Sequence, residues 1–139
     1  MAVLTVTIPG EPKGKARPRF SRATGATYTP RSTAEYESRV MYFFKMEYPD
    51  WTPTEKAVSV RILAYYTIPK SAGKKKRERM IKYWIRPTRR PDVDNIAKAI
   101  CDSLNGLAYR DDAQIVSLGV HKLYSENPRV EVTIKEQEG

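Results

Sequence analysis

The sequence predicts an α+β fold: one small domain in which a mixed, mostly antiparallel sheet carries helices packed on one face. Four segments alternate apolar and polar residues with a period of two, two others repeat apolar residues every three or four positions, and the two kinds are interspersed without strict alternation. The chain has 139 residues, 40% of them hydrophobic, which is enough for one core and too little for two. Residues 1–139 are therefore expected to form a single domain.

Leu4, Val6 and Ile8 share one side of a strand over residues 2–8, ended by Pro9, Gly10 and Pro12. Residues 12–29 read as a basic loop, and a loop this long is usually functional or mobile. Ser32, with Glu35 three residues later, reads as a capping box. The helix it opens places Tyr36, Val40, Phe43 and Phe44 on an apolar face, and these aromatics are assigned to the core. Residues 57–67 form a second strand with Val58, Val60, Ile62, Ala64 and Tyr66 on one face, broken by Pro69. Residues 71–85 have room for a short, very basic helix of poor pattern. Pro91 biases Arg90 toward an extended conformation, and Asp92 or Asp94 then caps a helix that runs to about Asn105 and stops at Gly106. Its buried stripe is Ile96, Ile100 and Leu104, with Ala99 beside it. Residues 115–124 and 129–135 are two more strands, and the turn made by Ser125, Glu126, Asn127 and Pro128 predicts that they pair as a hairpin.

Composition removes several classes of function. One cysteine, Cys101, excludes an intrachain disulfide and a Cys-based zinc site, and one histidine, His121, excludes a His-rich metal centre. Cys101 is expected in the core, and His121 is expected to be structural or solvent-exposed. No apolar run approaches the roughly 18 residues of a membrane span, and the N-terminus lacks the pattern of a signal peptide, so a cytoplasmic location is expected. Any metal must be held by oxygen, which selects Mg²⁺, with Mn²⁺ as a possible substitute. The formal charge is +9, from 25 Lys and Arg against 16 Asp and Glu. It lies in two blocks: Lys13, Lys15, Arg17, Arg19, Arg22 and Arg31 with no acid among them, and ten basic residues from Lys70 to Arg90 against Glu78 alone. Such blocks favour a polyanion.

The second block runs into RRPDVDNIAKAICDSLNGLAYRDDAQI, residues 89–115, which holds five aspartates. A basic surface attracts phosphate and a carboxylate cluster repels it, unless a divalent cation lies between. Asp92 and Asp94 project to one side of an extended segment and can reach one ion. Asp94, Lys98 and Asp102, at i, i+4 and i+8, line one helix face clear of the buried stripe. Of the adjacent Asp111 and Asp112, only one is expected to join the cluster. A bound ion would polarise a phosphodiester and acidify a water, while Lys98 would neutralise developing charge or protonate a leaving oxygen. Simpler readings compete. Aspartate at a helix start is a good cap. The Asp94, Lys98, Asp102 series can be a surface ladder worth about 0.3–0.5 kcal/mol per pair. The basic stretch can be a solvated helix face, although ten like charges repel without an anionic partner.

The run RPDVDNIAKAICDSLNG followed by YRDDAQI resembles the signature of the RusA-type Holliday junction resolvases, endonucleases common in bacteria and their prophages. PKGKARPRFSRATGATYTPRSTAEYE resembles that family's opening, so the likeness spans nearly the whole chain. The resemblance implies that Asp92, Asp94 and Asp112 are the catalytic carboxylates and metal ligands and that Lys98 is the essential lysine. Asp102 matches a family position as a weaker candidate, and Asp111 becomes a bystander. It further implies a homodimer that makes paired Mg²⁺-dependent nicks in four-way or branched DNA during recombination and repair. Two equivalent sites suit a roughly two-fold substrate. Lys13, Lys15, Arg17, Arg19, Lys74, Lys75, Lys76, Arg89 and Arg90 are the expected DNA contacts. The run from Lys70 to Arg90 is longer than a minimal member of the family needs. Two alternatives remain: a branched-DNA-binding protein without catalysis, and a metal nuclease for flaps or other branched nucleic acid.

Overall fold

A computed structural model describes residues 1–138. In chain order the elements are β1 (Val3–Pro9), β2 (Arg19–Phe20), β3 (Thr27–Tyr28), α1 (Arg31–Glu47), β4 (Val58–Thr67), α2 (Lys74–Ile81), α3 (Val93–Leu104), a 3-10 turn (Asp112–Gln114), β5 (Ile115–Ser125) and β6 (Arg129–Glu136). The four long strands form one mixed sheet in the order β1-β6-β4-β5, with only β4 and β5 parallel. Its α+β class is the expected one. No described helix is long and apolar enough to cross a membrane.

The alternation read in the sequence becomes three cross-strand rows. Leu4, Ile134 and Val60 lie side by side, as do Val6, Val132 and Ile62, and then Ile8, Val130 and Ala64. All nine are buried. A period of two puts them on one face, where α1 lays Tyr36, Val40 and Phe44 and α3 lays Ile96, Ile100 and Leu104.

The expected hairpin between the last two strands does not form. β4 is inserted between them, paired with β5 on one edge and β6 on the other. β4 is the strand with the most buried positions, and a central place satisfies its backbone groups on both sides. β5, with Val116 and Leu118 exposed, takes the edge. The connection between them therefore arches over β4. Four residues of extended chain reach about 13 Å, enough to cross two strand spacings of roughly 4.8 Å. Arg129 holds the arch by donating from Nη1 to Ser125 Oγ (3.1 Å) and to the Asn127 carbonyl (2.9 Å).

One further expectation is corrected. Ser32 does not cap α1: the helix begins one residue earlier behind Pro30, whose fixed φ suits a helix start, and Glu35 pairs instead with Arg31 at 2.9 Å. Within the basic loop, Gly25 at φ +70 lets Ser21 and Ala26 close the small β2–β3 hairpin.

The C-terminal strand is also fastened by one carboxylate. Glu136 accepts from Thr54 Oγ1 (2.6 Å) and from the Ala2 backbone N–H (2.9 Å), and these hydrogen bonds hold its pKa below the ordinary 4.5. Stability from this group is fully present above the unfolded value of 4.5 and is lost as pH falls through the lower folded value. Glu136→Gln is expected to lower Tm near neutrality and to flatten the acid limb of a Tm-against-pH profile below about pH 5, so that variant and wild type converge in acid. An unchanged acid limb would show that Glu136 is not a protonation-linked clamp.

Candidate active site

α3 lies over the edge strand β5, and its ends define two neighbouring recesses. Its N-terminal end is fixed from below: the Tyr66 hydroxyl donates to the Pro91 carbonyl (2.7 Å), and Lys122 Nζ donates to the Arg89 carbonyl (2.6 Å). Tyr66 and Lys122 point to the helix-bearing face because β4 and β5 are in register, Ala64 opposite Lys122 and Tyr66 opposite Tyr124. The Arg89 guanidinium and the Lys122 ammonium both lie about 5 Å from the Tyr66 ring, at 4.9 and 5.1 Å. Burial lowers the pKa of Lys122, with Asp92 opposing that shift. Burial also pushes Tyr66 up to about 12, so the phenol remains a donor at neutral pH.

Asp92 occupies the N-cap position of α3 with an extended backbone, but its side chain makes no capping hydrogen bond. The carboxylate is exposed, not spent on the helix end. Asp94 is already in the first helical turn, so the two acids do not share an extended segment as the spacing predicted. They nevertheless line one recess, together with Lys15, Ala16, Arg17, Arg90 and Asn95.

The wall of that recess is the arm of residues 12–17. Its backbone donates from Lys15 N–H to the Asn95 carbonyl (3.0 Å). Gly14 permits the approach: a Cβ there would stand 2.9 Å from the Cβ atoms of both Asn95 and Pro91. Lys15 was expected to meet DNA, but its ammonium is used within the fold, 2.8 Å from Glu37 on α1 and 3.5 Å from Asp102 on α3. Sequence reasoning did not detect this bridge, because nothing local marks Lys15 apart from the other bases of the arm.

The second recess, roughly 400 Å³, lies between α3 and β5 and is lined by Ala97, Lys98, Cys101, Asp102, Asp112 and the start of β5. The surface ladder read at Asp94, Lys98 and Asp102 is absent: among the described residues Lys98 has no ion-pair partner, and Asp102 is taken by Lys15. Asp111 and Asp112 separate cleanly. Asp111 caps the 3-10 turn, its carboxylate accepting from Ala113 N–H (3.0 Å) while Gln114 Oε1 accepts from Asp111 N–H (2.8 Å). Asp112 is left exposed over the recess. Cys101 is buried, and that burial pushes its thiol up to about 11. His121 is exposed on β5. The acids thus flank Lys98 as a pair on one side and Asp112 on the other, and among the described residues no three acidic, His or Cys side chains converge on one point.

Of the expected DNA contacts, Lys13, Arg17, Arg19, Lys74, Lys75, Lys76, Arg89 and Arg90 are exposed. Lys122 was missed. Its signal was available, since a lysine in phase with Val120 and Tyr124 on β5 stands on the covered face of the sheet.

The endodeoxyribonuclease RusA family profile matches residues 9–135. The chain belongs to the RusA family of endodeoxyribonucleases. The match takes in the arm, both recesses and the sheet apart from β1. An uncharacterised protein of Bacillus subtilis (strain 168), YqaN, is 40% identical over 98% of each chain. The crossover junction endodeoxyribonuclease rusA of Lactococcus phage r1t is 41% identical over 56 residues, 40% of this chain and 43% of that protein. Within the RusA family, then, this chain presents its acids on a helix pinned by an arm that only glycine allows to dock. Gly14→Ala is expected to destabilise the protein by about 1–3 kcal/mol through overpacking, read as a lower urea midpoint. An unchanged midpoint would mean that the arm does not need this close approach.

Proposed function

We propose that this RusA-family protein is a divalent-metal-dependent endonuclease that resolves four-way DNA junctions by paired nicks, in recombination and repair. The observation that carries the proposal is Lys98, exposed and without an ionic partner among the described residues, on a helix face flanked by free carboxylates within a basic surface. An ammonium left unpaired beside acids is suited to receive a phosphate oxygen.

The donor set fits a hard cation. Asp92 and Asp94 supply two carboxylates to one recess, the number Mg²⁺ commonly takes from protein, and Asp112, the further proposed ligand, stands across Lys98 in the neighbouring recess. Mg²⁺ or Mn²⁺ held there would polarise the scissile phosphate and acidify an attacking water. Lys98 would stabilise charge on the non-bridging oxygens or protonate the leaving oxygen. Arg17 and Arg90, which line the same recess as the acids, would hold the flanking phosphates, and Lys13, Arg19, Arg89 and Lys74 to Lys76 would extend the grip. Such contacts position DNA without reading its sequence and make binding strongly salt-dependent.

Paired nicking requires two sites, and so a homodimer with two-fold symmetry. β5 offers a face for it: an unpaired sheet edge with Val116 and Leu118 exposed at 64% and 48%.

The test is a synthetic four-way junction incubated with and without Mg²⁺. Wild type is expected to nick symmetrically only with metal. Asp94→Asn and Lys98→Ala are expected to lose about 10²-fold or more in cleavage while still binding the junction. Binding without cleavage in either Mg²⁺ or Mn²⁺ would sink the nuclease reading for junctions, and equal cleavage of flaps or linear duplex would move the substrate elsewhere. For the dimer, Val116→Lys combined with Leu118→Lys is expected to shift sedimentation equilibrium from dimer to monomer. A dimer that persists would place the interface away from β5.

A further inference from the structure

We infer that Trp84 is a base-stacking residue that takes an unpaired or splayed nucleobase where branched DNA departs from the duplex. The inference rests on the reading of this chain as a branched-DNA nuclease and adds a recognition element that lies outside the acidic recess.

Trp84 is 70% exposed, the highest exposure among the large hydrophobic residues. The other tryptophan, Trp51, is half-buried, with its indole N–H donating to the Ala108 carbonyl at 3.0 Å. Among the described residues the Trp84 indole has no comparable structural task, and the one cation over its ring is Lys82 Nζ, 5.0 Å from the centroid. Yet the turn that presents it is fixed. Met80, at the end of α2, is buried in the core. The Arg79 carbonyl accepts from both Trp84 N–H (2.9 Å) and Ile85 N–H (3.3 Å), and the Met80 carbonyl accepts from Tyr83 N–H (3.1 Å). Tyr83 holds φ +66, a left-handed conformation unfavourable for a bulky side chain, and its ring packs 6.4 Å from that of Tyr65. A strained, multiply bonded turn thus holds a large flat ring out in water.

Charge complementarity names the occupant. Lys82 lies over the ring, and Arg79 and Arg86 are within five residues of it in the chain, in a segment with ten basic residues and one acid. An apolar ring set among cations suits a ligand with a flat face and an anionic backbone, which is a nucleotide. The location agrees. Tyr65 meets Tyr83, and the next residue, Tyr66, holds Pro91 beside Asp92, so the turn and the acids both lie at the C-terminal end of β4, on opposite faces of the sheet. Duplex DNA keeps its bases stacked, whereas a branch point or a single strand offers an open face.

The experiment measures binding in EDTA, without turnover, of a four-way junction, a single strand and a linear duplex by anisotropy. It compares wild type, Trp84→Ala and Trp84→Phe, with circular dichroism to confirm folding. Trp84→Ala is expected to weaken binding of junction and single strand by about 5- to 150-fold, the range for one base–aromatic stack, with duplex binding unchanged. Trp84→Phe is expected to recover most of that loss. In Trp51→Phe, where Trp84 is the sole indole, fluorescence is expected to be quenched by the single strand and not by the duplex. Equal loss on duplex, no loss on any DNA, or a change only in oligomeric state would each overturn the assignment, the last by making the ring a protein contact. These readouts need no cleavage, so failure to cut a junction would count against the nuclease reading and leave the stacking result standing.

Discussion

The Lys15 ammonium, 2.8 Å from Glu37 and 3.5 Å from Asp102, ties together the three parts that make the site: the N-terminal arm, α1 and α3. Burial works to lower its pKa, but the hydrogen bond and charge of Glu37, with those of Asp102, outweigh it and leave the group shifted upward. It therefore stays charged at any pH at which the protein would act. Its effect reaches beyond the contact. By neutralising Asp102 it removes the acid one turn beyond Lys98, and Lys98 is left without a partner. One half-buried cation thereby leaves an exposed one unpaired.

The same economy governs the acids. Each carboxylate assigned to chemistry is one that the fold leaves unused: Asp92 sits at a helix start without capping it, and Asp112 stands beside Asp111, which does the capping. At the N-terminal end of α3 the positive groups are also arranged in tiers. Arg89 and Lys122 lie over Tyr66, where the ring face offsets part of the cost of crowding two cations. Arg17 and Arg90 face the open recess. The positive field that draws DNA is thus built partly of structural charges that do not themselves leave the protein surface.

What the sequence encodes locally was legible in it. The alternation in β4 and the Ile96, Ile100, Leu104 stripe of α3 are dictated by backbone period, and each of those side chains is buried. The motif also placed Asp92, Asp94, Lys98 and Asp112 on or beside one helix. Long-range choices were not legible. A turn between residues 125 and 129 reads the same whether its strands pair or straddle a third, and only the demand of β4 for two partners decides. Lys15 and Lys122 looked like surface charges because their partners, Glu37 and the Arg89 carbonyl, are 22 and 33 residues away. Ser32 and Glu35 matched a capping pattern, but Pro30 set the helix start first.

The arch over β4 gives synthesis of this protein a particular order. β6 is the last strand in the chain, yet it lies inside the sheet, between β1 and β4. Until residues 129–136 emerge, β1 has no partner, β4 is open on one edge, and the platform under α3 is incomplete. Every acid of the site is made before that strand. A ribosome-bound chain would therefore carry the acids proposed for the site without the scaffold that aligns them, and the site would form only as β6 slides into the middle of the sheet.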